Sequence, residues 1–385
     1  MAFEMPPRTR ASIVARGVGR LAFDGVEQLT RVVEAMHANI AAAPLPFGRG
    51  TDGRTRGLTG FVYESIRVVN GGARSVLDGL LGPLPPPADS AAEPPHSEPW
   101  VSVLNGVLGD HLAASGNPLA IPMQLRRAGD PRARIVVLIH GLCMSDRQWL
   151  RNGHDHGEAL ARDLGVTPVY VHYNTGRHVS ENGRELAGQL EALLRGWPVA
   201  EPELAIVGYS MGGLVARSAC HYASEGGQAW LARLARLVFL GTPHHGAPLE
   251  RGGNWAAQIL GVSPYSAPLA RLGALRSAGI TDLRHGSVRE EDWRGRDRFA
   301  REGDRRVATP LPVGVACFAI AGTSDMLAPV ASALGRHSDP RRSLAIDPAH
   351  CWIGEGLDHF DLLDRLEVYA RLRESLAAPA SAHCD

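Results

Sequence analysis

The 385-residue chain contains no lysine: all 40 basic residues are arginine, and 40 acidic residues balance them to a formal net charge of zero. The missing lysine reads as a bias towards GC-rich codons and carries no functional signal. The missing net charge removes any global field that would draw nucleic acid or an anionic membrane to the surface. Cysteine is scarce as well. The five cysteines, Cys143, Cys220, Cys317, Cys351 and Cys384, are odd in number and form no C-x-x-C pair of the kind that holds zinc or exchanges disulfides. A reduced cytoplasmic chain is the expectation. No apolar run approaches the roughly 18 residues that mark a membrane-spanning helix. The run "ASIVA" after Arg10 is cut short by Arg16, so the start does not read as a signal peptide. No internal repeat recurs at a fixed period.

What the chain does have is 44% hydrophobic residues, enough for one large core or two modest ones. Residues 9 to 43 and 58 to 81 carry apolar side chains at three-to-four spacing, among them Val18, Leu29 and Val33 in the first and Phe61, Ile66 and Val69 in the second. That spacing predicts two amphipathic helices. Their polar faces mix Glu34 and Asp24 with Arg20 and Arg31 instead of forming the basic stripe that anionic lipid attracts. Packing on the same chain or on a twin subunit is therefore favoured over attachment to a membrane surface. The stretch "GPLPPPADSAAEPPHSEP" cannot continue a helix. It divides an N-terminal helical extension (1–82) from a catalytic domain (99–376) through a linker at 83–98, with a flexible tail at 377–385.

From residue 99 the chain alternates strand-like and helix-like segments. Strands are predicted at 121–127, 133–141, 167–174, 203–208, 236–241 and 315–322, and a helix at 180–197 that Ser180 or Asn182 would cap. Such alternation implies an α/β fold with a mostly parallel central sheet and helices on both faces. Residues 244–312 break the pattern, being long, weakly periodic and rich in Gly, Pro and Arg. An insertion of that kind reads as a lid or cap, with Trp255, Ile259, Leu260 and Tyr265 lining an acyl pocket.

Within the alternation stands "IVGYSMGGLVA" (206–216), in which glycines flank Ser210 two places on either side. In so glycine-rich a chain about 0.3 such matches arise by chance, so the string alone is weak. Its context carries more. "ELAIVG" before it has the length of a buried strand, and "MGGLVARSACHYA" after it has helical spacing without proline. Strand, sharp turn and helix are what a strained turn exposing a serine nucleophile requires, although an ordinary strand-to-helix turn would read the same way.

Partners for that serine belong beyond the carboxyl ends of parallel strands. "VVLIHGL" ends a strand at His140 and Gly141, which leaves the N–H of Leu142, with that of Met211, to receive an oxyanion. His140, Gly141 and Tyr209 would border the substrate. "CFAIAGTSDML" presents Asp325 after another strand, and "GEGLDHFDLL" sets His359 in a glycine-flanked loop. Asp358, next to His359, is the rival acid; a sequence neighbour usually points away from the ring it adjoins. His244 and His245, taken with His154 and His156, could suggest zinc, but turn and supporting histidines are the preferred reading.

The order Ser210, Asp325, His359, with "GYSMGG", "LGTPHHGAPL", "GTSDMLAPVASA" and "LDHFDLL", resembles the lipase and esterase branch of the α/β-hydrolase superfamily, especially bacterial triacylglycerol lipases and the PGAP1-like group. The resemblance spans roughly residues 100 to 375. It implies a cofactor-free Ser-His-Asp hydrolase of carboxylic esters, acting on a small-molecule or lipid ester through an acyl-enzyme. Lipases of this kind often carry a structural calcium near the histidine loop. Asp361 stands where one ligand would be, the others do not assemble, and no metal is expected. Acyl transfer to an alcohol through the same triad, and a non-catalytic lipid-surface or partner-binding module, are the alternatives. Peripheral membrane contact and a homodimer through the N-terminal helices both stay open.

Overall fold

The computed structural model describes residues 7–41, 54–55, 57–80, 99–247, 276–297 and 303–377. Two units divide the chain: Met1–Ser97 with Ala114–Leu119, and Glu98–Ala113 with Ala120–Asp385.

In the first unit α1 (Pro7–Ala41) and α2 (Gly57–Leu80) are the two helices that the apolar spacing predicts. Their ion pairs fall in opposite order along the two chains, which makes the helices antiparallel: Arg20 Nε to Asp78 Oδ1 at 2.8 Å, Arg74 Nη1 to Asp24 Oδ1 at 2.6 Å, and Arg67 Nη1 to Glu34 Oε2 at 2.6 Å. Asp24 and Glu34, expected on an outer polar face, are buried instead, while Leu29, Phe61 and Val69 are exposed. Arginine explains the inversion. Its guanidinium reaches across the helix seam and satisfies a buried carboxylate with directed hydrogen bonds.

The second unit is built on a seven-stranded sheet in the order β1-β5-β2-β6-β7-β8-β9. Its strands are β1 (Gln124–Arg127), β2 (Arg134–Ile139), β5 (Thr167–His172), β6 (Glu203–Tyr209), β7 (Leu234–Leu240), β8 (Ala316–Gly322) and β9 (Cys351–Gly354). Only β1 runs antiparallel to its neighbour. A small hairpin, β3 (Leu150–Arg151) and β4 (His154–Asp155), stands outside the sheet. Apolar runs such as "RIVVLI" in β2 are buried on both faces, as a parallel sheet covered by helices demands. Around it lie α3 (Pro99–Ala114), α4 (His156–Leu164), α5 (Val179–Arg195), α6 (Met211–Glu225), α7 (Ala278–Asp282), α8 (Val330–Ala333) and α9 (Leu366–Ala377). Val137, Ile139, Ile206 and Leu214 belong to one core layer, and Leu138, Val207, Val238 and Leu372 to the other. This strand order, with crossovers reversing between β5, β2 and β6, is the α/β-hydrolase fold. Among the described residues no helix is long and apolar enough to cross a membrane.

Three readings change. Residues 99–114 form a helix where only a domain boundary was expected. Neither Ser180 nor Asn182 caps α5: the Val179 N–H is taken by Asp282 Oδ2 at 2.8 Å, from a segment a hundred residues away. That segment belongs to the expected lid. Residues 276–297 are packed, however, with Ile280 and Leu283 fully buried in the core and the Trp293 ring stacked 3.7 Å over His178. Apolar spacing within a Gly- and Arg-rich segment was too sparse to reveal this, because its burial comes from partners distant in sequence. Trp255, Ile259, Leu260 and Tyr265 lie outside the described residues.

Candidate active site

Ser210 sits alone between the last residue of β6 and the first of α6, with φ 53° and ψ −124°. A side chain rarely adopts this backbone conformation, and its cost is met by the elements that pin the turn. Ser210 N–H donates to Leu240 O of β7 at 2.8 Å. A Cβ on Gly208 would lie 2.5 Å from Gly213 Cα, and one on Gly212 would lie 2.2 Å from Ile139 O. The flanking glycines therefore let α6 start hard against β6 and β2. Because Met211 opens the helix, its N–H has no acceptor within α6 and stands at the positive end of the helix dipole.

The turn after β2 meets the serine directly, since a Cβ on Gly141 would lie 3.1 Å from Ser210 Cβ. Two hydrogen bonds hold it: Tyr173 Oη donates to His140 O at 2.8 Å, and Cys143 N–H to Thr175 Oγ1 at 3.1 Å. Cys143 has φ 59°, a second left-handed residue in the same wall. Leu142 lies between these anchors.

Asp325 follows β8 and His359 follows β9, and the fold brings them together although 34 residues separate them. His359 Nδ1 donates to Asp325 Oδ2 at 2.7 Å, while Asp325 Oδ1 accepts from the N–H groups of Leu327 and Ala328, both at 2.8 Å. Both carboxylate oxygens are thus committed and the rotamer is set. With Nδ1 as donor, Nε2 presents a lone pair. It is buried and has no partner. Gly241, at φ 56°, makes room for the pair, since a Cβ there would lie 3.2 Å from Asp325 Oδ2 and 3.3 Å from His359 Cε1. Tyr209 Oη donates to His359 O at 3.1 Å.

Gly141, Leu142, Tyr209, Ser210 and His359 line one cleft of about 240 Å³. Sequence reasoning missed the rest of its wall: Pro99 and Val103 of α3, Cys143, Met144 and Gln148 from the segment after β2, Leu150 and Arg151 of β3, and Phe360 and Leu363. A signal for α3 was present in "WVSVLNGVLGDHL", whose apolar residues keep helical spacing. A Cβ on Gly106 would lie 2.2 Å from Cys143 Sγ, so this helix packs against the turn after β2.

His140 corrects the sequence reading. It does not line the cleft; its ring is fully buried and stacks 4.5 Å from Tyr173, and burial pushes its pKa down to about 3. Only its backbone serves the site, because the ring turns beneath the loop, where Nδ1 bonds Gly141 O at 2.9 Å. Met211 likewise buries its side chain. Asp358 is exposed, and its carboxylate caps a turn by accepting from the N–H groups of Phe360 and Asp361. Asp361 accepts from Asp358 N–H and from Arg365 Nε. His154 and His156 bond each other at 2.9 Å, and His156 Nε2 also donates to Leu362 O, whereas His245 Nε2 bonds Gly335 O. Among the described residues no group of three or more His, Cys, Asp or Glu side chains is placed to hold a metal.

A family model described as a domain of unknown function (DUF7379) matches residues 110–272. No curated protein matches the chain. Among solved structures, the mature Bacillus licheniformis lipase BlEst2 is 19% identical, with 65% of this chain and 98% of that one covered at a TM-score of 0.42. The esterase of the archaeon Pyrobaculum calidifontis is 14% identical, with 66% and 81% covered at a TM-score of 0.42. An alpha/beta hydrolase fold protein from Chitinophaga pinensis is 12% identical, with 68% and 95% covered at 0.41.

Proposed function

We propose that the chain is a serine hydrolase of carboxylic esters. The observation that carries this reading is the His359–Asp325 pair, which leaves a buried, partnerless Nε2 in the same cleft as a serine held on a strained turn at a helix start.

In this reading His359 Nε2 takes the Ser210 hydroxyl proton as Oγ attacks the ester carbonyl carbon. The carbonyl oxygen becomes an anion beside the N–H groups of Met211 and Leu142. As the tetrahedral adduct collapses, His359 gives that proton to the departing alkoxide, which leaves as an alcohol while the acyl group stays bonded to Ser210 Oγ. Water, deprotonated by the same nitrogen, releases the acid and restores the serine. Asp325 keeps the Nδ1 proton in place throughout and stabilises the imidazolium. Ser210 Oγ and His359 Nε2 are not hydrogen-bonded, and the proton transfer requires the two to close to hydrogen-bond distance as the ester is attacked. Val103, Leu142, Met144, Leu150, Phe360 and Leu363 make the cleft wall apolar, which suits the acyl part of an ester and supports a lipidic or other acyl substrate.

The test is covalent labelling by a fluorophosphonate probe, mapped to Ser210, together with turnover of a chain-length series of p-nitrophenyl esters, a triglyceride emulsion and a phospholipid. Neither labelling nor turnover would leave the non-catalytic reading. Partition of the acyl group to added alcohol in preference to water would make the chain an acyltransferase.

A further inference from the structure

A second and larger cavity, about 610 Å³, lies at the entry to β8 and shares no lining residue with the cleft around Ser210. Its volume is that of a small-molecule site. One wall is Arg217, an arginine set among the small and apolar residues of α6 and only 5% exposed. Its Nη2 donates to Thr309 O at 2.9 Å and its Nη1 lies 3.4 Å from His244 Nδ1, but its Nε is buried without an acceptor. No carboxylate of the described residues pairs with it. The nearest in effect, Asp292, has its oxygens taken by the N–H groups of Val288, Arg289 and Val307. Burial, reinforced by repulsion from Arg306, pushes the guanidinium down to about 10. A buried cation with an unmet donor is costly unless something anionic completes it.

The neighbouring charges point the same way. Arg306 and Arg342 share the carboxylate of Asp304 at 2.8 Å and 3.0 Å, and Arg342 Nε also lies 3.9 Å from Asp339 Oδ2. Arg341 is matched by Asp339 at 2.9 Å, and Asp347 accepts from Ala349 N–H. Arg217 is thus left without a carboxylate partner of its own while Arg306 and Arg342 divide Asp304, and Leu311, Val315 and Leu344 line the cavity with apolar surface. We propose that this cavity binds a small amphiphilic anion, a carboxylate or phosphate monoester with a short apolar body, its head against Arg217, Arg306 and Arg342 and its body against Leu311, Val315 and Leu344. The site is independent of the chemistry at Ser210.

Calorimetric titration of the full chain with octanoate, octyl phosphate and 1-octanol tests this. One equivalent of octanoate or octyl phosphate should bind, the tighter of the two identifying the head group, and the uncharged alcohol should not. Arg217→Met, which keeps the volume and removes the charge, should weaken binding roughly tenfold or more, and Leu311→Trp, which fills the cavity without changing charge, should do likewise. Either anion binding a folded Arg217→Met variant as tightly as wild type would overturn the proposal, as would the alcohol binding as well as the anions, or none of the three binding. Should Arg217→Met fail to fold, undiminished binding by Leu311→Trp overturns it equally.

Discussion

The hydroxyl of Tyr209 donates to the backbone carbonyl of His359 at 3.1 Å, so the residue immediately before Ser210 holds the loop that carries the imidazole. The two ring centroids are 5.0 Å apart, and Tyr209 is buried. Tyr209→Phe keeps the packing and strands one buried acceptor, at a cost of about 1 kcal/mol. Its melting temperature should fall slightly while ester turnover falls several-fold more than that loss of folded protein explains. Wild-type kcat in the variant would show that the loop is held without this bond.

Ser210→Ala and Ser210→Gly should both lack turnover, and they should differ in stability. Alanine keeps a Cβ at φ 53°, whereas glycine relaxes a conformation that costs on the order of 1–3 kcal/mol. Glycine's greater freedom in the unfolded chain offsets up to about 1 kcal/mol of this. The glycine variant should be at least as stable as the alanine variant in urea unfolding. A markedly less stable glycine variant would mean that the turn is not strained.

Asp325→Asn should reduce kcat by orders of magnitude, on the order of 10⁴ in the serine-protease precedent, because the amide favours the wrong imidazole tautomer. Asp358→Asn should leave most of the activity, since that carboxylate is exposed and accepts from the backbone N–H groups of Phe360 and Asp361. Comparing kcat of the two purified variants decides between them; the reverse order would move the acid to Asp358.

Gly241→Ala places a Cβ 2.7 Å from Leu362 Cδ1 and 3.2 Å from Asp325 Oδ2, at a φ of 56° that L-residues disfavour. Destabilisation of about 1–2 kcal/mol from the backbone alone is expected, with a further loss of kcat as the Asp325–His359 pair shifts. Unchanged stability and activity would mean that the pair tolerates movement.

Acid sensitivity should come from buried histidines. Burial pushes His156 down to about 4, and His140 and His245 are lowered for the same reason to about 3 and about 4. An unfolded chain protonates its imidazoles near pH 6.5, so between there and about pH 4 the unfolded state binds the extra protons. Stability is then fully present above about pH 6.5 and is lost as pH falls. His156→Gln removes one such proton, roughly 1.4 kcal/mol per pH unit of the slope. Urea midpoints followed from neutral pH to about pH 5 should fall less steeply in the variant; an identical slope would exclude His156 as a source.

The sequence by itself determined six of the sheet's seven strands, all but β9, together with the two N-terminal helices and the strand–serine–helix turn. Each depends on residues adjacent in the chain: apolar runs, three-to-four spacing, and glycines at 208 and 212 where no Cβ fits. It also put Asp325 at a strand end, since a parallel sheet gathers its loops at one edge, and His359 in a glycine-flanked loop, whereas the strand β9 before that loop was not legible. Only the tertiary structure decided what distant segments do to one another. It turned the His140 ring away from the cleft, brought Pro99 and Val103 of α3 to its wall, and set Asp282 at the start of α5. It buried Ile280, Leu283 and Val288 of the expected lid in the core and drew Asp24 and Glu34 inward against arginines of the facing helix. Local propensity is blind to such outcomes because burial and pairing are set by which surfaces meet, and a polar side chain is buried wherever a partner across the interface satisfies it.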